Sequence, residues 1–542
     1  MATCAEVLAQ TLKDGGITRM YGLPGGEILD FVEAARKVGI EFLLTRHEAT
    51  ASLMADATGQ MQRRPGVCVS TLGPGAVNMT LGVANAFLDR APMIAITAAT
   101  AVAAQPYATH QNLDLNAVYR PFTKMSITLN GEDTAAKVRQ AFCCTLEPRM
   151  GPVHIGLPSD VSRQPDRQHT DPLSVALMPE PIAPASTEAI DRMVQHLHQA
   201  QRPVVLLGLD LNPETDVEAV RRFVEAFGAP VFVTPKAKGL LPEDHPQFFG
   251  VCCGVSGDGV IVDFLSTADL LVGVGFEPVE SDKLWHQSLP IVSIGPLSIA
   301  AGEFKPAVEL VGEVRSSLDA LAGISWSQTG WSESSLTGFQ ATLADVLTPP
   351  EQLDHGLSPV EVTRCLRQVS AADTILTTDV GSIKFVTTQA WTTFTPFSFF
   401  ESNGLSSMSY AFPAAMAATL QYPDRPVLCT IGDGGFGMTL GDVETCVREK
   451  LHFVTVVFND QALSLIQIAQ ARRGLTERGV RYGSVDFAAA AAALGAWSRR
   501  VTSLEELAEA VQAGRMSNRP AVIEVPIDPR EYQMHAAPPK MV

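Results

Sequence analysis

Three doubly wound α/β domains, each a mostly parallel sheet with helices on both faces, are predicted for this chain by three observations. Its 542 residues exceed one ordinary core, since length over roughly 150 gives three or four domains. Short Val/Ile-rich runs alternate with Ala-rich amphipathic stretches, the pattern of βαβ units. Two polar stretches, "RQPDRQHTDPLSVALMPEPIAPAST" and "SQTGWSESSLTGFQATLADVLTPPEQLDHGLSP", cut that pattern into three blocks and read as a linker and a soft region.

The first block, residues 1–165, carries the strand-like runs "EFLLT", "PGVCVST" and "PMIAIT". The second, residues 186–326, carries "PVVLLG", "PVFVTP", "DLLVGVG" and "PIVSIG". The third, residues 355–530, carries "TILTTDVG", "VLCTIGDGG", "FVTVVFND" and "AVIEVPI". Such apolar runs suit strands buried on both faces of a parallel sheet. The tail "PREYQMHAAPPKMV" reads as poorly ordered or as an arm.

Composition narrows the partners. The chain is 46% hydrophobic and 18% charged, with a formal charge of -18, which argues against nucleic acid or an anionic membrane as the main partner because a basic face could not easily dominate. Nine cysteines occur, two pairs of them adjacent and none in CxxC spacing, so reduced thiols are expected. No basic-then-apolar leader is visible and no run reaches the roughly 18 apolar residues of a membrane span. A cytoplasmic location is expected.

Ligands of doubly wound sheets sit at the carboxyl ends of strands. The middle block offers only "GVGFEP" there, without the third glycine of a dinucleotide fingerprint, so a flavin (FAD) or an ADP-like moiety in that block stays open. In the third block a strand ends in Gly432-Asp433-Gly434-Gly435, and the next ends in Asn459-Asp460, 27 positions after Asp433. Bare backbone lets a diphosphate approach the amides, and the two acids can share a hard divalent cation with phosphate oxygens. The carbonyl of Ala462 completes the protein ligands in this reading. A turn aspartate capping the helix "TLGDVETCVREK" is the plainer alternative.

This spacing resembles the thiamin diphosphate-binding motif of the thiamin-dependent decarboxylase and acetohydroxyacid synthase superfamily. The first block then needs a glutamate, and Glu48 in "TRHEATASLMADATGQ" resembles the one that hydrogen-bonds the cofactor's aminopyrimidine ring. By itself Glu48 reads as a charge at a helix start. Loops "YGLPGGEILDF", with Gly25 and Gly26, and "TLGPGAVN", with Pro74 and Asn78, resemble cofactor-facing turns of the family. In the third block the resemblance puts Val380, Gly381, Ser382 and Ile383 at the diphosphate, with Leu463 and Leu465 beside the metal motif. Met408 would prop the bent cofactor, and the Ser406 carbonyl would receive its amino group. His110 and Gln111 in "YATHQNLD" stand where the family has substrate-facing residues, and His110 could relay protons or simply be structural.

The resemblance implies a pyrimidine-binding, a central and a diphosphate-binding domain, thiamin diphosphate with Mg2+, and a homodimer or homotetramer whose active site lies between subunits. The overall pattern looks closest to the acetohydroxyacid synthase large-subunit group. A small-molecule 2-oxo acid, decarboxylated with acyl transfer to a carbonyl acceptor, is the implied substrate. A lyase or acyltransferase acting on 2-hydroxy ketones, acyl-CoA or phosphate acceptors is the alternative, and a non-catalytic scaffold with the same fold is a third. Departures are Asp460 where the family usually has asparagine, Ile383 where histidine is common, Ala469 in place of a tryptophan and Val279 in place of an arginine. The last two weaken acetolactate synthesis as the reaction.

Overall fold

Among the described residues, every pairing between the named strands is parallel, as the unbroken apolar runs require. The structure is a computed structural model and describes residues 1–280, 289–301, 305–351 and 353–535. The first sheet is built from β1 (Arg19–Leu23), β2 (Glu41–Leu44), β3 (Gly66–Ser70), β4 (Met93–Ala99), β5 (Met125–Thr128) and β6 (Pro152–Pro158), in the order β2-β1-β3-β4-β6-β5. The second holds β7 (Pro203–Leu207), β8 (Val231–Val233), β9 (Phe248–Val251), β10 (Leu270–Val274), β11 (Ile291–Gly295) and β12 (Val308–Val311), in the order β12-β11-β10-β7-β8-β9. The third holds β13 (Ile375–Thr378), β14 (Phe399–Glu401), β15 (Val427–Gly432), β16 (Val454–Asn459), β17 (Trp497–Arg500) and β18 (Ala521–Pro526), in the order β14-β13-β15-β16-β18-β17. The first and third sheets share one topology.

Those two sheets also share a core. The helix Glu48–Gln62 is buried along nearly its whole length, from Ala51 to Met61, and joins the mostly apolar helix Ala411–Gln421 in one cluster with Met54, Ala55, Ala414 and Met416. Apolar residues on every side, rather than a stripe, are what a helix packed between two layers needs. His47 caps its start by accepting the Ala49 amide at Nδ1, and Arg63 ends it in the left-handed region at φ 48°.

Polar side chains lock the three layers together. Lys236, between β8 and β9, donates to Asp89 Oδ2 at 2.7 Å, to Gln60 Oε1 at 2.9 Å and to the Glu401 carbonyl at 2.5 Å, so one ammonium engages the first and third sheets' layers at once. Gln389 bonds the backbone of Val251 and Ser256, tying the central layer to the helix Ser382–Ala390.

Two expectations need correction. The soft stretch after the second block contains the helix Glu333–Val346, whose Phe339 plugs an aromatic cluster with Phe232, Phe249 and Phe264. Its many serines and threonines face solvent, and they hid the helix. The tail is no loose arm through His535: Pro529–Glu531 and Tyr532–His535 are helical turns, with Tyr532 3% and His535 2% exposed. The remainder of that stretch, 536–542, lies outside the described residues.

Candidate active site

At the carboxyl ends of β13, β15 and β16 the chain encloses a cavity of about 230 Å³. Val380, Gly381, Ser382 and Ile383 form one wall, Ser406 and Met408 a second, Gly432 to Gly435 the floor, and Asp460, Ala462, Leu463 and Leu465 the far side. The residues expected on the diphosphate side therefore meet in one place, although they come from four separate loops.

The floor follows from local geometry. Gly432 is the extended cap at φ -72° and ψ 156°, and the helix begins at Asp433 itself, earlier than the sequence suggested. Asp433 is 5% exposed, and its Oδ1 accepts the Gly434 amide at 2.7 Å. Asp460, half-buried one residue past β16, accepts the Ala462 amide at 3.1 Å and the Ser464 hydroxyl at 2.5 Å. Asn459 points elsewhere and donates to Glu524 Oε1 at 2.9 Å. Burial and then the neighbouring Asp460 charge push Asp433 up to about 7, and burial raises Asp460 as well. Two crowded carboxylates resist ionising together until a cation offsets them.

Backbone strain shapes the second wall. Ser406 and Ser409 stand at φ 55° and 70°, and the Ser409 end of the turn is held by Asp379, whose carboxylate accepts the amides of Ser409 at 3.0 Å and Ala411 at 3.2 Å. Burial pushes Asp379 up to about 6. A Cβ on Gly435 would collide with Asp379 Oδ2, and one on Gly434 would stand 3.1 Å from Met408 Cε. Gly435 is thus required by what packs on it, while a side chain at Gly434 would need Met408 and Tyr482 to shift by a few tenths of an ångström.

A second group gathers at the carboxyl ends of the first sheet. Glu48, 4% exposed after β2, accepts the side-chain amide of Asn78, at the end of the short helix Pro74–Asn78 that follows β3, at 3.0 Å. Among the described residues no cation pairs with it. A Cβ on Gly25 would collide with Thr71 Oγ1, so the loop after β1 also lies on the loop after β3. Gly26, Pro74, His110 and Gln111 are exposed, and Gln111, at φ 54°, lies against the Gly73 turn. Gly25, Gly26, Glu48, Pro74, Asn78, His110 and Gln111 do not line the cavity of the third sheet.

Sequence reasoning missed several residues. Tyr532, Phe458, Ser464 and Ile466 also line the cavity. Tyr532 comes from the tail that was read as an arm; burial and then the Asp460 charge hold its hydroxyl well above the usual tyrosine range. The departures fall as follows: Ala469 is exposed on the helix Ser464–Arg472, and Val279 is half-buried on the turn Pro278–Glu280.

The comparisons with known proteins decide the family. Residues 2–118 match the N-terminal TPP binding domain of thiamine pyrophosphate enzymes, residues 190–321 their central domain, and residues 379–525 their C-terminal TPP binding domain. The chain belongs to the thiamine pyrophosphate enzyme family. This thiamine pyrophosphate enzyme is 28% identical to the acetolactate synthase of Bacillus subtilis, over 97% of this chain and 93% of the relative. It is 28% identical to the catabolic acetolactate synthase of Raoultella terrigena, over 97% and 95%. A protein named probable 2-ketoarginine decarboxylase, from Pseudomonas aeruginosa, is 28% identical over 96% and 94%. Among the described residues, no helix is long and apolar enough to cross a membrane.

The residues of this thiamine pyrophosphate enzyme fit the cofactor that its domains are named for. Ser382 Oγ is buried at the cavity wall without a partner, a hydroxyl free for a phosphate oxygen. The glycine floor lets an anion approach the backbone, although the Gly434 amide is held by Asp433, and the acid pair offers hard oxygen ligands. Among the described residues no group of three or more His, Cys, Asp or Glu could hold a metal unaided. A cation at Asp433 and Asp460 would therefore complete its shell with backbone and phosphate oxygens.

Proposed function

We propose that this enzyme uses thiamin diphosphate and Mg2+ to decarboxylate a 2-oxo acid and to transfer the remaining acyl unit to a carbonyl acceptor. The paired acids Asp433 and Asp460 in a cavity floored by glycine carry this reading. Similarity over nearly the whole chain to acetolactate synthases and to a named decarboxylase supports it.

In this reading the side chains of Asp433 and Asp460 and the carbonyl of Ala462 hold Mg2+, while Ser382 and the backbone of Val380, Gly381, Ile383 and Gly432 to Gly435 receive the diphosphate. Ser406, Met408, Leu463 and Leu465 fix the rest of the cofactor. When bound, the cofactor supplies a nucleophilic carbon and a sink for the electron pair left by departing CO2. Glu48, dry and oriented by Asn78, holds a proton at the cofactor's ring. Gly25, Gly26 and Pro74 keep backbone close to that ring, and His110 and Gln111 face the substrate, with His110 moving a proton to or from it.

Glu48 and the acid pair lie in separate groups within one chain, so each active centre takes Glu48 from one subunit and the cavity from another, in a homodimer or homotetramer. Residues 1–165, 186–326 and 355–530 are the corresponding functional domains, and the enzyme acts in the cytoplasm. Val279, standing where an arginine would grip a second keto acid, favours an alternative: a lyase or acyltransferase acting on 2-hydroxy ketones, acyl-CoA or phosphate acceptors.

A panel of 2-oxo acids, assayed for CO2 release with thiamin diphosphate and Mg2+, tests the proposal. A responsive substrate is expected, and Glu48→Gln should slow it by about 10²–10⁴-fold. Undiminished turnover in that variant would refute the mechanism, and carboligation products with varied acceptors separate the two readings.

A further inference from the structure

The central sheet reverses its strand order between β7 and β10, and the crevice at their carboxyl ends is where a doubly wound domain holds a nucleotide. Here that crevice is shut. The Gly208 amide donates to the Val274 carbonyl at 2.9 Å and the Asp210 amide to the Gly275 carbonyl at 2.8 Å, lacing the loop after β7 to the loop after β10. A Cβ on Gly208 would collide with the Cα of Phe276 and stand 2.6 Å from the Gly275 carbonyl oxygen, so the two backbones touch.

Glu280 lies across this seam, 4% exposed. Its Oε2 accepts the amides of Leu209 at 3.0 Å and Glu277 at 3.1 Å, and its Oε1 accepts the Thr234 hydroxyl at 2.5 Å. Backbone amides and a hydroxyl at strand ends are the donors a phosphate group would use. Charges of both signs surround the seam, with Glu277 beside Asp210 and Arg63, Arg90 and Arg149 facing them. Glu277, 1% exposed, engages Arg90 and Arg149 from the first domain, so those cations are already taken. Burial pushes Glu280 up to about 8 and Asp210 up to about 7. The space beside the seam, between Leu209, Arg63 and Lys236, is about 60 Å³, against the roughly 300–1,000 Å³ of ordinary ligand pockets.

We propose that Glu280 takes the place of a nucleotide's phosphate in this crevice, so that the central domain binds neither a flavin nucleotide nor an ADP-like moiety. The carboxyl group is a built-in occupant that turns a nucleotide fold into a structural spacer. This claim concerns a different domain from the acid pair and stands whichever substrate the enzyme takes.

The test uses the full-length enzyme with thiamin diphosphate and Mg2+. It is denatured and the released material scanned for flavin, and the native protein is titrated with ADP and with FAD by calorimetry. Trace flavin and no saturable heat at millimolar nucleotide are expected. A stoichiometric flavin, or micromolar affinity for either nucleotide, would overturn the proposal. Gly208→Ala gives a second readout that needs no ligand. In a shut crevice the added methyl lowers the Tm by several degrees, whereas an unchanged Tm would mean that the crevice is open and the proposal wrong.

Discussion

Thr50 Oγ1 donates to Asp442 Oδ2 at 2.7 Å, joining the helix that begins at Glu48 to the helix Asp442–Arg448 that follows the Asp433 turn. The other oxygen of the same carboxylate, 2% exposed as a residue, accepts the Arg46 amide at 2.8 Å and the Thr445 hydroxyl at 2.9 Å. Asp442 thereby grips the chain on both sides of Glu48.

Asp442→Asn should cost about 1–3 kcal/mol, because an amide nitrogen replaces an acceptor and leaves a buried donor unmatched. Thermal unfolding reads that loss. A positioning role predicts more: kcat should fall more than KM changes, and exchange of the cofactor's ring proton, followed by NMR, should slow. Thr50→Val, which removes one bond of the three, should show a smaller version of both.

Asp460→Asn should act in opposite directions with and without metal. The cofactor-free protein loses the repulsion that pushes Asp433 up to about 7, so its Tm near pH 8 should rise. With one charge fewer, the half-saturating Mg2+ concentration should increase about tenfold, equivalent to ~1.4 kcal/mol. A Tm that falls in both states would contradict the mutual-repulsion account.

Asp56 supplies the pH test. Its carboxyl is buried between Asn85 at 2.6 Å and Gln60 at 3.0 Å, and burial, then the Asp89 charge, push it up to about 7 although Lys236 lies close. A carboxyl raised in the folded state contributes stability that is full below its unfolded value near 4 and lost as pH rises through about 7. The Tm of Asp56→Asn minus that of the wild type should therefore climb between pH 5 and 8. A flat difference would mean that Asp56 stays ionised throughout.

Gly435→Ala should weaken thiamin diphosphate binding at least about tenfold, or ~1.4 kcal/mol, since its methyl collides with Asp379 and displaces the strained turn carrying Ser406 and Met408. Gly437→Ala is the control. That position has open space around a Cβ, and helix propensity there favours alanine. Calorimetric titration of both variants separates a local clash from a general intolerance of the turn.

The legible parts were those written locally. Asp433 and Asp460 could be paired because each ends an apolar strand, and parallel neighbours bring such ends to one edge. Glu48 needed the family resemblance, since a glutamate at a helix start is otherwise unremarked. Asp379 lies within the strand end "TTDVG", yet its role lies in amides 30 and 32 residues away, a relation no local pattern encodes. Tyr532 was misread for a similar reason. Its stretch is polar and proline-flanked, but Ile527 bonds the Asn459 carbonyl at 3.1 Å, so the last strand delivers the tyrosine beside the acids.

Lys236 has a consequence for how such a chain comes together. Its acceptors are Gln60 and Asp89 from one layer and Glu401 from another, and its side chain is 8% exposed once they have closed on it. Two layers meeting without the third would strand a dehydrated ammonium short of acceptors, a heavy penalty in a dry seam. Closure of the three layers is therefore coupled: a single lysine disfavours half-built arrangements and ties the finished subunit into one unit.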